Sequence, residues 1–443
     1  MGEVYAGSYI TIAATLAPND DYGFLRPREE RYAGYIVNKI SGVTIREAVE
    51  HLTPRTTDAL LRRAWAFQER VLPSRVLSYG TQEMKWHCKS FEKCECGFDW
   101  PEIKDASPGT SEAQQERHYH ELIGNMGNPK RRPTAAKELL DYWRNFVVPE
   151  YTKLQLTKES DRLPALSAIA SEILRTTQDT YLAGLWLRDL PQALAWISKP
   201  SSASSHLSIW SGPNLGKLPA EYRAPTWSWA SVKGGVEYLR MRPQTSPIEI
   251  LEAFCTPVSV SPTGEVKAGR IRISGNMLAA TLEINEVAQN RCGRLNIALR
   301  RRNRCEHRAV RLKANRSDDL WEVSSGAYDI MSKIQRFTPD VPLEQTGPSV
   351  CATCTSKLSH RTLKRSHVVR TYRSPEPLLR LQGEVELLYI GEQKEDGEYS
   401  VLIVLVRSMA VHGAYERIGV LLVHMIALRA HLGVFERMIF DIV

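Results

Sequence analysis

The 443-residue chain lacks the sequence words that mark the commonest enzymes and membrane proteins. It contains no glycine-rich phosphate loop, no Ser–His–Asp arrangement and no His-Glu-x-x-His zinc word. Its longest apolar run, residues 418–430, is interrupted by His424 and Arg429, and it is shorter than the roughly 20 residues that span a bilayer. No basic, apolar and small-residue signal pattern opens the chain. We therefore expect a cytoplasmic protein with no membrane partner.

Cysteine is scarce, with eight residues in the whole chain, too few for a disulfide scaffold. Cys88, Cys94 and Cys96 cluster beside His87. Zinc sites usually repeat a C-x2–4-C pair, whereas the spacing here is Cys-x5-Cys-x-Cys. The adjacent His87 and Cys88 also point to opposite faces of a strand. We therefore favour reduced, packed cysteines over a zinc site, and we predict no metal and no other cofactor.

One short segment accounts for the whole net positive charge of the chain. Between Arg291 and Lys313, nine Lys or Arg residues stand against one Glu, a local net charge of +8 that equals the +8 of the chain. A nucleic-acid interface usually draws basic residues from several folded elements, with aromatic residues between them. A single low-complexity patch is more typical of a solvated loop. We therefore favour a loop over a nucleic-acid interface.

The most informative stretch is residues 63–77, which read Arg-Ala-Trp-Ala-Phe-Gln-Glu-Arg-Val-Leu-Pro-Ser-Arg-Val-Leu. The spacing predicts a helix that ends before Pro73, because proline supplies no N–H and restricts the residue before it. Two strands then follow around a turn at Gly80–Gln82. We expect Trp65 of the helix and Trp86 of the second strand to be largely buried in a shared core.

Taken whole, the word Ala-Trp-x-x-Gln-Glu-Arg-x-Leu-x-x-Arg-x-Leu closely resembles the signature of heterokaryon-incompatibility (HET) domains, a fungal self/non-self recognition family. Residues 1–15 look like the helix that precedes this word in the family, and residues 83–97 are similar to its aromatic and cysteine segment. Asp161–Ser167 and Arg223–Ser231 resemble its two downstream words. The resemblance places the family motif at Trp65, Gln68, Glu69, Arg75, Trp86, Cys88, Cys94, Cys96, Asp161, Arg162, Pro164, Pro225, Trp227 and Trp229.

The family's domain normally begins with strands upstream of the first matched helix, and this sequence has no counterpart to them. The resemblance therefore implies a truncated α/β HET-type region, from a shortened gene model or a natural fragment. The fold class we expect is α+β. Residues 1–105 would form the C-terminal portion of a HET domain and residues 116–232 a helical region with family motifs. Residues 233–288 and 378–443 would form a β-rich C-terminal region.

Inside the helical region, apolar periodicity predicts a helix over residues 134–156, interrupted by Pro149. A second helix is expected over residues 163–176, with Asp161 as its cap. The apolar pattern continues through residues 181–197, so the helical layer should extend there and pack on the hairpin. Beyond it, alternation of β-branched residues predicts strands at residues 247–260, 270–274, 277–284, 384–390, 399–406 and 415–420.

Residues 289–377 fit none of these patterns. Their low-complexity, Arg-rich composition is typical of a disordered or mistranslated insert, which we favour over a real inserted domain. Cys351-x-x-Cys354 with His360 and His367 approaches a metal-ligand spacing, but no folded scaffold surrounds it.

The resemblance implies an allorecognition protein that triggers cell death or growth arrest through assembly with a non-self or homotypic protein partner. An inert fragment is a further reading. The alternative from another class is an NAD-cleaving enzyme, because HET domains distantly resemble the TIR fold, in which some proteins use a catalytic glutamate. Glu69 is the weak candidate for that role, and a salt-bridged carboxylate at a helix end is the favoured interpretation. We expect no enzyme, since the strands whose loops would build the pocket have no counterpart in the sequence.

Overall fold

The computed structural model describes residues 2–38, 42–49, 58–97, 112–199, 219, 221–242, 247–289, 292–301, 309–314, 334–339, 343–349, 380–393, 399–424 and 435–443. The chain divides into two units, Met1–Thr180 and Tyr181–Val443. The first holds the α-helices and a small sheet, and the second is built mainly of strands. A mixed α+β fold is thereby confirmed. None of the described helices is long and apolar enough to cross a membrane.

Seven α-helices lie in the described part of the first unit. They are α1 Gly2–Ala6, α2 Glu30–Ala33, α3 Ala64–Val71, α4 Glu112–Asn125, α5 Arg132–Tyr142, α6 Val148–Thr152 and α7 Ser167–Thr177.

Helix α3 ends at Val71, two residues before Pro73, as predicted. Phe67 and Val71 of this helix occupy the core, while Trp65 is partly buried. Trp86 is also partly buried, so neither tryptophan lies in solvent and neither reaches the fully buried centre of the core.

The first unit contains a four-stranded sheet in the order β1-β4-β5-β6. Strands β4 and β5 form the predicted hairpin and are antiparallel, as are β5 and β6, whereas β1 pairs with β4 in parallel. A separate antiparallel hairpin is formed by β2 and β3. The strands of this unit are β1 Thr11–Ala13, β2 Tyr35–Asn38, β3 Val43–Ile45, β4 Arg75–Tyr79, β5 Met84–Cys88 and β6 Glu92–Cys94.

The helix predicted over residues 1–15 forms only at its N-terminal end, so the prediction was wrong for the rest of this segment. Helix α1 covers only Gly2–Ala6, and the β-branched Thr11 and Ile12 continue as strand β1. The parallel β1–β4 pair therefore also corrects the expectation that this region holds no strands of a parallel sheet.

The helical layer is shorter than predicted. Helix α5 continues through a π-helical turn, Trp143–Val147, into α6, so Pro149 lies just after the π-helical turn and does not end the helix. Helix α7 begins at Ser167, and Asp161 does not cap it. Residues 181–197 are short strands and 3-10 turns instead of helix.

The second unit is organised around one large sheet in which β12, β17, β18, β19 and β20 close on themselves. Two short antiparallel strand pairs, β7–β8 and β9–β10, accompany it. Its strands are β7 Tyr181–Leu182, β8 Leu185–Trp186, β9 Trp196–Lys199, β10 Gly235–Tyr238, β11 Glu249–Pro257, β12 Val266–Gln289, β13 Cys292–Arg301, β14 Ala309–Ala314, β15 Ile334–Pro339, β16 Leu343–Ser349, β17 Arg380–Glu392, β18 Tyr399–Arg407, β19 Ala414–His424 and β20 Glu436–Ile442.

The predicted C-terminal strands are present at β11, β17, β18 and β19, and the two strands predicted over residues 270–284 are one continuous strand, β12. The predicted insert, residues 289–377, contains the strands β13 to β16, so it is not without regular structure. Its Cys351, Cys354, His360 and His367 lie outside the described residues.

Tryptophans form the core of the second unit beside the closed sheet. Trp186, Trp196, Trp227 and Trp229 are all fully buried. The Trp229 indole N–H donates to the carbonyl of Gly184 at 3.0 Å. Gly184 has φ +100°, and a Cβ there would lie 2.7 Å from the Trp229 ring. Only glycine therefore allows both the backbone conformation and the close approach of the indole.

Gly184→Ala should destabilise the second unit more than Gly234→Ala does. Gly234 is a matched control, since its φ is +99° and a Cβ there would meet nothing within 4 Å. Both variants incur the strain of a positive φ, but only Gly184→Ala also overpacks the indole, adding about 1–3 kcal/mol. Urea unfolding followed by circular dichroism measures the difference, and equal losses would contradict the packing argument.

Candidate functional site

Helix α3 carries a row of polar side chains, and each reaches a different segment of the first unit. The indole Nε1 of Trp65 donates to the Asp161 carboxylate at 2.9 Å, across 96 residues of sequence. Asp161 lies in the 3-10 turn Glu159–Arg162. The word at residues 63–77 and the word Asp161–Ser167 therefore meet directly, and Asp161 serves as an acceptor for Trp65 instead of as a helix cap.

Gln68 makes the second of these contacts. Its side-chain oxygen accepts a hydrogen bond from the backbone N–H of Ala168 at 3.2 Å, and Gln68 is only 2% exposed. Ala168 lies in the first turn of α7, where backbone N–H groups have no partner within the helix. The Gln68 side chain thus provides a hydrogen-bond acceptor for a backbone N–H at the start of α7, 100 residues away in sequence.

Glu69, the weak catalytic candidate, is partly exposed and faces Tyr5 of α1. Burial, followed by the charge of Glu69 and a hydrogen bond to its carboxylate, raises the pKa of the Tyr5 phenol. The phenol therefore stays protonated and donates to the carboxylate. This arrangement explains Glu69 as a structural acceptor between two helices.

Arg70 extends the row into a buried ion-pair cluster. Its Nε lies 2.6 Å from Glu116 Oε1, and His87 Nε2 lies 2.9 Å from Glu116 Oε2. Glu116 is only 3% exposed. Burial raises the pKa of this carboxyl, but Arg70 and His87 outweigh it and hold the pKa below its ordinary value. The carboxylate thereby joins α3, β5 and α4, and α4 packs on the hairpin.

The end of α3 has a histidine beside it. His120 of α4 lies with Nε2 3.1 Å from the carbonyl oxygen of Pro73. Burial, followed by the charge of Lys89, lowers the pKa of His120 from 6.5 to about 4. The imidazole is therefore neutral, and its N–H donates to the carbonyl that follows the helix stop.

Two further motif arginines have different surroundings. Arg75 is exposed and donates to the carbonyl of Tyr9 at 3.2 Å, with its guanidinium 5.0 Å from the Tyr9 ring. Arg162 is buried, and burial lowers its pKa to about 10. Its carbonyl accepts from the Tyr151 hydroxyl at 2.7 Å. Pro164 begins the 3-10 turn Pro164–Leu166 that leads into α7.

The cysteine segment separates into two parts. His87 pairs with Glu116, while the Cys88 sulfur lies 3.5 Å from the carbonyl of Phe91. Cys94 and Cys96, in contrast, have their sulfurs 3.0 Å apart. Glu83, which the sequence interpretation did not include, has a carboxylate oxygen within 4.8 Å of both sulfurs.

The remaining motif word lies in the second unit. Trp227 offers its carbonyl to the Trp196 indole N–H at 2.9 Å. The guanidinium of Arg417 stacks 3.6 Å from the Trp196 ring centre and donates to the carbonyl of Leu194 at 2.6 Å. Pro225 starts this turn, accepting from the backbone N–H of Ser228 at 3.0 Å. These buried contacts give the tryptophans a packing role.

The structure thus gathers Trp65, Gln68, Glu69 and Asp161 around one helix of the first unit and leaves Cys94 and Cys96 as a separate pair. Glu116, the charged centre of the ion-pair cluster, carries no signal in the sequence, because its partners are 46 and 29 residues away. Comparison of the chain with protein-family models, curated proteins and solved structures finds no match.

The Trp65–Asp161 contact should be measurable by a double-mutant cycle. Trp65→Phe keeps the ring and removes the N–H, and Asp161→Ala removes the acceptor. Because the acceptor is charged and the pair is partly buried, we expect a coupling energy of about 1–2 kcal/mol in urea unfolding. A parallel cycle of Trp65→Phe with Asp141→Ala, whose carboxylate pairs with Arg144, should give none. Zero coupling in the first cycle would contradict the contact.

The neutral state of His120 makes the first unit less stable in acid. The unfolded chain binds a proton at this histidine below its ordinary pKa of 6.5, whereas the folded chain does so only below about 4. The free energy of unfolding should therefore fall as pH drops from 6.5 to about 4, and this group has no effect above that window. His120→Gln should flatten the slope in urea unfolding across the window. An unchanged slope would refute the assignment.

Proposed function

We propose that this chain carries a HET-type region and acts in self/non-self recognition, triggering growth arrest or cell death by assembling with protein partners. One observation supports this more than any other. Motif words that lie about 100 residues apart meet at α3: Trp65 contacts Asp161 of the word Asp161–Ser167, and Gln68 contacts Ala168, the residue that follows this word. If the resemblance were a chance match of separate words, nothing would require these residues to touch.

Assembly needs a surface that favours a protein partner, and the β2–β3 hairpin offers one. Among the described residues, its Tyr35, Ile36, Val37, Val43 and Ile45 are each between 50% and 62% exposed. Tyr35 and Ile45 are directly paired across the hairpin, and Ile36 points to the opposite face. A two-stranded hairpin is marginal in water by itself, and exposed apolar patches of this kind mark interaction surfaces.

The arrangement of Glu69 supports assembly over NAD cleavage. A cleaving site must position the nicotinamide ribose against a carboxylate, and orientation contributes about 7–11 kcal/mol to lowering such barriers. Glu69 already accepts the Tyr5 phenol. In the described part of the first unit, parallel pairing is limited to β1 and β4. Few loops at the ends of parallel strands are therefore available there to build a pocket around Glu69. We therefore assign Glu69 the structural role of holding α1 against α3.

The proposal is tested by inducing the chain to high level in fungal cells, where concentration drives assembly by mass action. We expect growth arrest, together with concentration-dependent self-association or capture of a partner by the purified chain. Ile36→Asp should abolish both, because a charge on the exposed hairpin opposes an apolar contact. Leu25→Asp is the matched control, since Leu25 is 76% exposed outside any helix or strand, and it should leave both intact.

Cellular NAD is measured in the same cultures. Growth arrest that persists in Ile36→Asp would contradict the assembly surface. Arrest accompanied by NAD loss, both removed by Glu69→Gln, would replace assembly by the enzymatic function. No growth arrest from the wild-type chain, under expression confirmed by immunoblot, would contradict the proposed function itself.

A further inference from the structure

The β5–β6 hairpin brings a carboxylate and two thiols to one end of the sheet in the first unit. Glu83 immediately precedes β5, and Cys94 is the last residue of β6. Because the two strands are antiparallel and Cys94 pairs with Lys85, the start of β5 and the end of β6 lie side by side. Residues before the first strand and after the second therefore meet.

A tight turn at Cys94–Gly97 then directs the two thiols toward the same point. The backbone N–H of Gly97 donates to the Cys94 carbonyl at 3.0 Å, and Gly97 has φ +75°. The N–H of Glu95 donates to the Met84 carbonyl at 3.1 Å, so the ladder continues into the turn. This backbone holds the Cys94 and Cys96 sulfurs 3.0 Å apart.

We propose that Glu83, Cys94 and Cys96 bind a zinc ion. One ligand atom of each residue lies within 4.8 Å of the other two, a separation that one small cation can bridge. Two thiolates with a carboxylate form a donor set suited to Zn²⁺. Three protein ligands leave the fourth position of a tetrahedral zinc ion for water, and Cys96 is exposed to solvent.

The surrounding charges are compatible with a divalent cation. Glu83 is fully buried, and the Arg46 guanidinium lies 3.6 Å from one of its carboxylate oxygens. The neighbouring Glu95 is neutralised by Arg28 at 2.5 Å. Two thiolates and the carboxylate carry three negative charges, and zinc together with Arg46 balances them. This proposal departs from the expectation of reduced, packed cysteines, which weighed His87, Cys88, Cys94 and Cys96 as ligands but not Glu83.

The experiment titrates the reduced, chelator-stripped full-length chain with Co²⁺, followed by competition with Zn²⁺. We expect one cobalt ion per chain with a thiolate-to-cobalt charge-transfer band, displaced by zinc. Cys96→Ser should weaken binding by about 100-fold or more, since loss of even an outer-shell partner costs on the order of 10–100-fold. Cys96 is exposed, so this variant should fold, which circular dichroism verifies.

Two control variants locate the site. Cys88→Ser lies in the same sheet but outside the cluster, and Cys351→Ser/Cys354→Ser removes the other cysteine pair with metal-like spacing; both should bind cobalt as the wild type does. The proposal is overturned if the wild type binds no cobalt, if the Cys351/Cys354 variant loses binding instead, or if Cys94 and Cys96 form a disulfide that persists under reduction and excludes metal.

Discussion

The first unit depends on one constraint: the polar side chains of α3 are buried or half-buried and must find partners outside their own helix. Gln68 and Trp65 satisfy this through the start of α7 and the turn before it. A buried polar group without a hydrogen bond costs about 1–3 kcal/mol, so neither segment can move from α3 without leaving a group unpaired. The helix thereby fixes elements about 100 residues away.

The same constraint holds for the ion-pair cluster, in which the buried group that needs partners is a charged carboxylate. Glu116 is buried between Arg70 and His87, and removing one partner of such a group typically costs about 3–5 kcal/mol because the remaining charge stays buried. Replacing the whole cluster by apolar residues would not carry that cost. Its effect is therefore to specify position, because α4 packs on β5 and α3 where Glu116 meets both Arg70 and His87.

The sequence predicted those features of the fold that depend on residues close together in the chain. Pro73 ends α3 by its own covalent structure, and the hairpin after it follows from alternation and a short turn. Residues 181–197 were misassigned because apolar continuity alone does not separate a helix from short strands. The helix expected over residues 1–15 came from the family resemblance, and only its start is helical. The partners of Asp161 and Glu116 and the approach of Glu83 to two cysteines arise from long-range packing, which no local pattern reports.

The structure divides the motif residues by how completely their surroundings explain them. Trp229 and Gln68 are buried, and their polar atoms are hydrogen-bonded to backbone groups, so packing accounts for them without a ligand. Cys96 is different, because an exposed thiol held against a buried thiol and carboxylate adds little to a core. The apolar β2–β3 hairpin is likewise unexplained by internal packing of the described residues. We therefore propose that function beyond folding lies at these two surfaces, a cation site at Glu83, Cys94 and Cys96 and a protein interface at the β2–β3 hairpin.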